Sequence, residues 1–233
     1  MAKYLLKPKV LLILCSIPVG LVSYYFIALA AYHIPSGAME PTLEVGDRLL
    51  VDKSAYDFEN TAATDTPKRG DVIVFRVPHK NDTAFIKRVI GLPGDTVQMK
   101  GGRLFINRKL IKRQLFQYIN YTNYRGREVR AKEYDESLPG GALHRIYEQT
   151  DDGQYDNTRA FKVPEGHYFV MGNNRDASLD SRARGHSPMG YIDKNWIIGR
   201  AFTTTYSLYD RTQGKDIECS GGVPFGRFFT KIQ

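Results

Sequence analysis

The sequence predicts a mostly β domain with a hairpin-rich insertion, carried behind one apolar N-terminal helix. Three observations lead there. Short runs of β-branched and aromatic residues recur between turn residues from Arg48 to Phe202, the pattern of strands on a pleated, half-buried surface. Val10 to Tyr32 carries no charge and is long enough for a helix that crosses a hydrocarbon core, which takes roughly 20 residues. Lys112 to Arg159 shifts in composition toward Tyr, Arg, Asp and Glu around a break at Pro139-Gly140-Gly141, which reads as loops and hairpins added to the main sheet.

A chain of 233 residues, 42% hydrophobic and 12% aromatic, has room for one sizeable domain with a real core and is not a disordered protein. Its two cysteines, Cys15 and Cys219, would have to bridge the apolar segment to the folded domain, so no disulfide framework is expected. A net charge of +8 suits nucleic acid, an anionic membrane surface or a plain basic face. No nucleic-acid-binding motif accompanies it, and nucleic acid is not expected as a partner. No HExxH or CxxC spacing, dinucleotide fingerprint or phosphate loop occurs, so no metal and no cofactor is implied.

Lys3, Lys7 and Lys9 precede the apolar run. By the positive-inside rule residues 1–9 are cytoplasmic, residues 10–32 span the membrane with Tyr24, Tyr25 and Tyr32 suited to its far interface, and residues 33–233 lie outside. The rival reading is a cleavable signal peptide, because Ala28-Leu29-Ala30 has the small residues of a cleavage site. Against it, the run exceeds the usual apolar region of about 7–15 residues.

Ile34-Pro35-Ser36-Gly37-Ala38-Met39-Glu40-Pro41-Thr42-Leu43 then reads as a rigid ledge, with prolines fixing φ and small residues allowing close approach. Strands are expected at 48–53, 72–77, 84–90, 96–99, 103–106, 167–171 and 196–202. Leu92-Pro93-Gly94-Asp95 has the order of a type II turn, and Gly101-Gly102 suits a hairpin.

Three groups invite chemistry. Lys87 sits among Ala84, Phe85, Ile86, Val89 and Ile90; if buried it loses its proton easily and serves as a base, and if it alternates outward it is an ordinary surface lysine. Ser36 and Ala38 would point the same way on an extended ledge, offering a hydroxyl and an amide to a developing oxyanion; the rival reading has Ser36 cap a local turn. Ser178, Asp180 and Arg182 alternate, and an Asp-Arg pair at that spacing can hold a loop by charge-assisted bonds.

The ledge, the run Phe85-Ile86-Lys87-Arg88-Val89-Ile90-Gly91-Leu92-Pro93-Gly94-Asp95 and the run Gly172-Asn173-Asn174-Arg175-Asp176-Ala177-Ser178-Leu179-Asp180-Ser181-Arg182 together resemble bacterial type I signal peptidase, the membrane-bound Ser/Lys protease of peptidase family S26. The resemblance covers nearly the whole chain as far as Phe202, with three motifs in the correct order. It implies a catalytic domain of coiled antiparallel sheets with an inserted subdomain around 103–160, removal of signal peptides from exported preproteins after Ala-x-Ala-like sites, membrane phospholipid and the secretion translocon as further partners, and a location on the outer side of the bacterial inner membrane.

By the same resemblance, position 38 holds the nucleophilic serine, Lys87 is the general base, Ser36 and the residue 38 amide form the oxyanion hole, and Ser178 orients Lys87. Asp180 and Arg182 would support the loop, and Arg88 would be the outward neighbour of Lys87. Tyr32, Ile34, Pro35, Met39, Leu43, Leu49, Val74, Phe85 and Ile86 would line pockets for small side chains. Asn173 stands where many members carry aspartate, and position 38 is alanine. Without that hydroxyl the chain is expected to be inactive, either as an inactivated variant that keeps every other part or as a natural relative that binds or chaperones without cutting.

Overall fold

Val72-Ile73-Val74-Phe75 is apolar at every position because its strand is covered on both faces. Val72 and Val74 join Ile34, Met39, Leu43 and Leu49 in one core, whereas Ile73 and Phe75 join Val77, Val89, Tyr168 and Val170 in another. The alternation of side chains along a strand thus feeds two cores from one segment.

The computed structural model describes residues 28–58, 66–78, 83–123, 125–183, 189–207, 209–210, 215–216 and 229–232. Its strands are β1 (Leu29–His33), β2 (Asp47–Asp52), β3 (Val72–Arg76), β4 (Ala84–Gly91), β5 (Thr96–Lys100), β6 (Arg103–Ile106), β7 (Lys109–Leu110), β8 (Lys112–Thr122), β9 (Glu128–Ser137), β10 (Leu143–Glu148), β11 (Phe161–Lys162), β12 (His167–Met171), β13 (Ile192–Asp193) and β14 (Ile197–Ser207), followed by a ribbon of Tyr209–Asp210 with Lys215–Asp216. The fold is mostly β, and its strand pairs are antiparallel. A seven-stranded sheet runs β1-β2-β14-β3-β4-β12-β13, a four-stranded sheet β11-β5-β6-β7, and a three-stranded sheet β10-β9-β8.

Turn chemistry fixes two of the connections. Gly94 has φ +83° and the Asp95 amide donates to Leu92 O at 3.0 Å, which is a type II turn. Gly101 and Gly102, at φ +52° and +66°, supply the two left-handed residues of a tight hairpin between β5 and β6.

Two expectations change. The apolar run does not continue as helix to Tyr32, because Leu29 to His33 pair with Asp52 to Arg48 as strand β1, where the β2 backbone satisfies their polar groups. Residues 10–27, with Lys3, Lys7, Lys9, Cys15 and Cys219, lie outside the described residues, among which no helix is long and apolar enough to cross a membrane. Cleavage after Ala30 would remove strand residues paired with Asp52 and Val51. The stretch from Lys112 is also less loop-like than its composition suggests: β8 and β9 are strands of 11 and 10 residues that form one long hairpin.

Candidate active site

The ledge is a turn. Gly37–Met39 forms a 3-10 helix, closed by Glu40 N donating to Gly37 O at 3.2 Å and followed by Leu43 N donating to Met39 O at 3.0 Å. A Cβ at position 37 would meet the Glu40 carboxylate at 2.8 Å, so glycine lets that side chain fold over the turn. The extended geometry expected to align Ser36 with residue 38 is therefore absent. Ser36 is extended itself, at φ −143° and ψ 150°, but the chain turns immediately after it. Its hydroxyl makes no capping bond to the turn.

Main chain ties this turn to the loop after β12. Asn174 N donates to Ala38 O at 3.1 Å. A Cβ on Gly172 would lie 2.5 Å from Ala38 O and 2.2 Å from Ser178 Oγ, so the glycine is what allows the turn and the loop to meet. Met171 pairs with Arg88 in the antiparallel register of β12 and β4, which makes Gly172 the residue that leaves β12 beside Lys87. Ala38 O and Ser178 thus meet at Gly172, which the strand register sets opposite Lys87.

Lys87 is 6% exposed, and its Nζ donates to Ile86 O at 3.0 Å. Burial lowers its pKa to about 8, with Asp180 drawing it up and Arg182 pushing it further down. Ser178 is buried, and its hydroxyl has no hydrogen-bond partner among the described residues, so the bond to Lys87 that the resemblance implies is not formed here.

Asp180 and Arg182 lock the loop from inside. Arg182 donates through Nε and Nη2 to the two Asp180 oxygens at 2.9 and 2.8 Å, Nη2 also reaches Arg175 O at 2.6 Å, and Asp180 Oδ2 accepts the Gly172 amide at 3.0 Å. Burial would raise the Asp180 carboxyl, but the Arg182 charge and these donors hold it below the usual carboxylate range.

Arg88 is not the outward neighbour of Lys87. It is 1% exposed, because β4 lies inside the seven-stranded sheet and both its faces are covered at this point. Its guanidinium donates to Asn173 Oδ1 at 3.0 Å, Gly70 O at 2.6 Å and Thr42 Oγ1 at 3.2 Å. Burial and the nearby Arg175 charge lower its pKa to about 9, against the pull of Glu136 and Asp71.

Of the expected pocket residues, Ile34, Met39, Leu43, Leu49 and Val74 form one cluster, with Tyr32 and Ile86 packed against it. Leu43 and Leu49 are wholly buried and serve as its floor. Phe85 does not belong to this wall; it lies on the other face of β4, stacked on Phe75 at 6.0 Å, because successive strand residues point opposite ways. Pro35 is exposed at the rim.

The model of the family described as signal peptidase, peptidase S26, matches residues 6–206. The chain belongs to that family. A signal peptidase I of Pseudomonas aeruginosa PAO1 is 39% identical over 192 residues, covering 77% of this chain and 65% of the relative. One from Rickettsia bellii OSU 85-389 is 33% identical over 208 residues, covering 79% and 69%. The chain thus spans slightly less than two thirds of the Pseudomonas protein. A solved signal peptidase I from Enterococcus faecalis V583 aligns at 27% identity over 59% of this chain and 98% of that one, with a TM-score of 0.34, a superposition too loose to bear on the fold.

Beyond the family's motifs, this S26 chain holds its site with residues that its sequence does not flag. Glu136 of β9 binds Arg175 of the site loop through both guanidinium nitrogens, one at 3.0 Å, and all of it is buried. Tyr147 N donates to Asn173 O at 2.9 Å, and Asn173 Nδ2 donates to Arg145 O at 3.0 Å, so β10 also grips the loop. The three-stranded sheet thus holds the loop at Asn173 and Arg175.

Proposed function

We propose that this chain is built as a signal peptidase, a membrane-bound serine endopeptidase that removes N-terminal signal peptides from exported preproteins after Ala-x-Ala-like sites, and that Ala38 silences it. The observation that carries the reading is Lys87: an amine buried in β4, with its pKa lowered to about 8 and beside the turn that presents position 38. Family membership over residues 6–206 supports the reaction class.

With a serine at 38, neutral Lys87 would take the hydroxyl proton as the oxygen attacks the scissile carbonyl. The residue 38 amide would donate to the oxyanion, joined by the Ser36 hydroxyl once bound substrate draws the two into line, and the protonated amine would return its proton to the leaving nitrogen. Water, deprotonated by the same amine, would then release the acyl group. Ser178 would steady the amine once substrate compresses the site, and Asp180 with Arg182 would keep the loop closed behind it. The apolar run before β1 would anchor the domain at the outer face of the inner membrane, beside phospholipid and the translocon.

The missing hydroxyl favours a second reading, a binding or chaperone module that uses the same groove without cutting. Ala38→Ser decides between them. The purified variant, in detergent with phospholipid, should cleave a preprotein after its Ala-x-Ala site, and Lys87→Met in that background should abolish the product. If Ala38→Ser stays inert on several preproteins, the binding module is the better account.

A further inference from the structure

Behind the loop just described, three carboxylates from three segments converge. Glu148 ends β10, Asp156 lies in the following loop and Asp176 in the 3-10 turn Arg175–Ala177; one oxygen of each lies within 4.8 Å of the others. Surface clusters of this kind are common and carry little meaning. Here Glu148 and Asp156 are 0% exposed, and Glu148 Oε1 and Asp156 Oδ1 have no hydrogen-bond donor among the described residues.

Each of the three carboxylates has one oxygen engaged. Glu148 Oε2 accepts from Arg113 at 3.0 Å, Asp156 Oδ2 from the Gly153 amide at 2.6 Å, and Asp176 Oδ2 from the Gln149 and Thr150 amides at 2.7 and 3.2 Å. The two bare oxygens are therefore unmet on carboxylates that are wholly buried, which an anion tolerates poorly.

Charge bookkeeping points the same way. Arg182 is bonded to Asp180 and Arg175 to Glu136, while Arg113 and Lys132 share Asp151. Arg113, Lys132 and Asp151 leave one positive charge against three carboxylates, a deficit of two.

We propose that Glu148, Asp156 and Asp176 form a binding site for a hard divalent cation, with calcium the best fit. All three donors are carboxylate oxygens, which select calcium, magnesium or manganese over zinc and copper. Spacings of up to 4.8 Å can be bridged by one ion with oxygens at about 2.3–2.6 Å, the calcium range, whereas magnesium needs a tighter shell. Gly153 keeps the approach open: a Cβ there would lie 2.6 Å from Asp176 Oδ1 and 3.1 Å from Asp156 Oδ2. The ion would meet both bare oxygens, match the deficit of two charges, and staple β10 and the loop after it to the segment that carries Ser178. None of this depends on the proposed protease reaction.

The test uses the full chain in detergent, stripped with EDTA and titrated with calcium chloride against sodium chloride of equal ionic strength. Calcium should raise the thermal midpoint saturably, with the folding equilibrium favoured about tenfold at ten times Kd. Terbium should give tyrosine-sensitised luminescence that calcium displaces. Glu148→Gln and Asp156→Asn should each weaken both responses at least tenfold. A midpoint and luminescence that calcium leaves no different from sodium would overturn the site and leave the bare oxygens sharing a proton. A calcium response that survives the double variant would overturn the assignment to these residues. Should the variants fail to fold, the parent titrations decide alone.

Discussion

Arg88 Nε donates to Asn173 Oδ1 at 3.0 Å, so a guanidinium buried beside the candidate base is held by an amide and not by a carboxylate. The amide also uses its nitrogen, donating to Thr42 Oγ1 at 2.5 Å and Arg145 O at 3.0 Å. One side chain thereby joins the ledge, β4, the site loop and β10.

Asn173→Ala should cost about 1–3 kcal/mol in denaturant unfolding, because it takes one acceptor from the buried Arg88 guanidinium and the donors to Thr42 and Arg145 O. Asn173→Asp should stay within about 1 kcal/mol of the parent at pH 7, its charge-assisted bond to Arg88 offsetting the donors it loses. A loss below 1 kcal/mol for Asn173→Ala would show that the junction is not needed.

Lys87 should make the folded chain pay for its amine. Its pKa falls from the ordinary 10.5 to about 8, a gap worth about 3 kcal/mol. Because the folded value is the lower one, the penalty is complete below pH 8 and fades as pH rises toward 10.5, where the unfolded chain also loses its proton. Lys87→Met should therefore stabilise the chain at pH 7, and the gain should vanish near pH 10.5. Urea midpoints at several pH values measure it. In the Ala38→Ser background, cleavage should rise with pH through about 8.

Gly172→Ala should separate the turn from the loop. The new Cβ would sit 2.5 Å from Ala38 O, a main-chain atom that cannot swing aside. Expected is a loss of about 1–3 kcal/mol, on the scale of overpacking, with no cleavage by the Ala38→Ser, Gly172→Ala double variant. A double variant that cleaves at the parental rate would show that this contact does not shape the site.

Substrate association should outlast the loss of the hydroxyl. Ser-to-Ala removes one oxygen and leaves the cluster of Ile34, Met39, Leu43 and Val74 in place. A preprotein with Ala-x-Ala should crosslink to the Ala38 chain and remain uncut. A bulky residue just before the cut should weaken association by about 1–3 kcal/mol. Equal crosslinking of both, in one detergent and lipid mixture, would mean that the groove does not read the site.

Local patterns carried the β architecture well, since β2, β3, β4 and β12 lie within a residue or so of their apolar runs and both glycine-bearing turns follow from φ preferences. Alternation failed at Arg88, because a strand in mid-sheet with both faces covered has no outward side. It failed at Ser36 and Ala38 because a single turn starting at Gly37 replaces extension. The Glu136–Arg175 pair was not legible at all: its members are 39 residues apart, and only the folding of the three-stranded sheet against the loop gives either one a partner.

The bond from Asn174 N to Ala38 O, at 3.1 Å, is made by main chain alone, so the turn is anchored whatever side chain residue 38 carries. Under the proposed function, serine and alanine at position 38 would keep this anchor alike, and neither would mark the chain for a cell's proteases. A silent copy would accumulate as well as a working one. Under the proposed function it would also occupy substrate without releasing product, so in a cell that made both copies it would act as a dominant competitor, slowing export in proportion to its abundance.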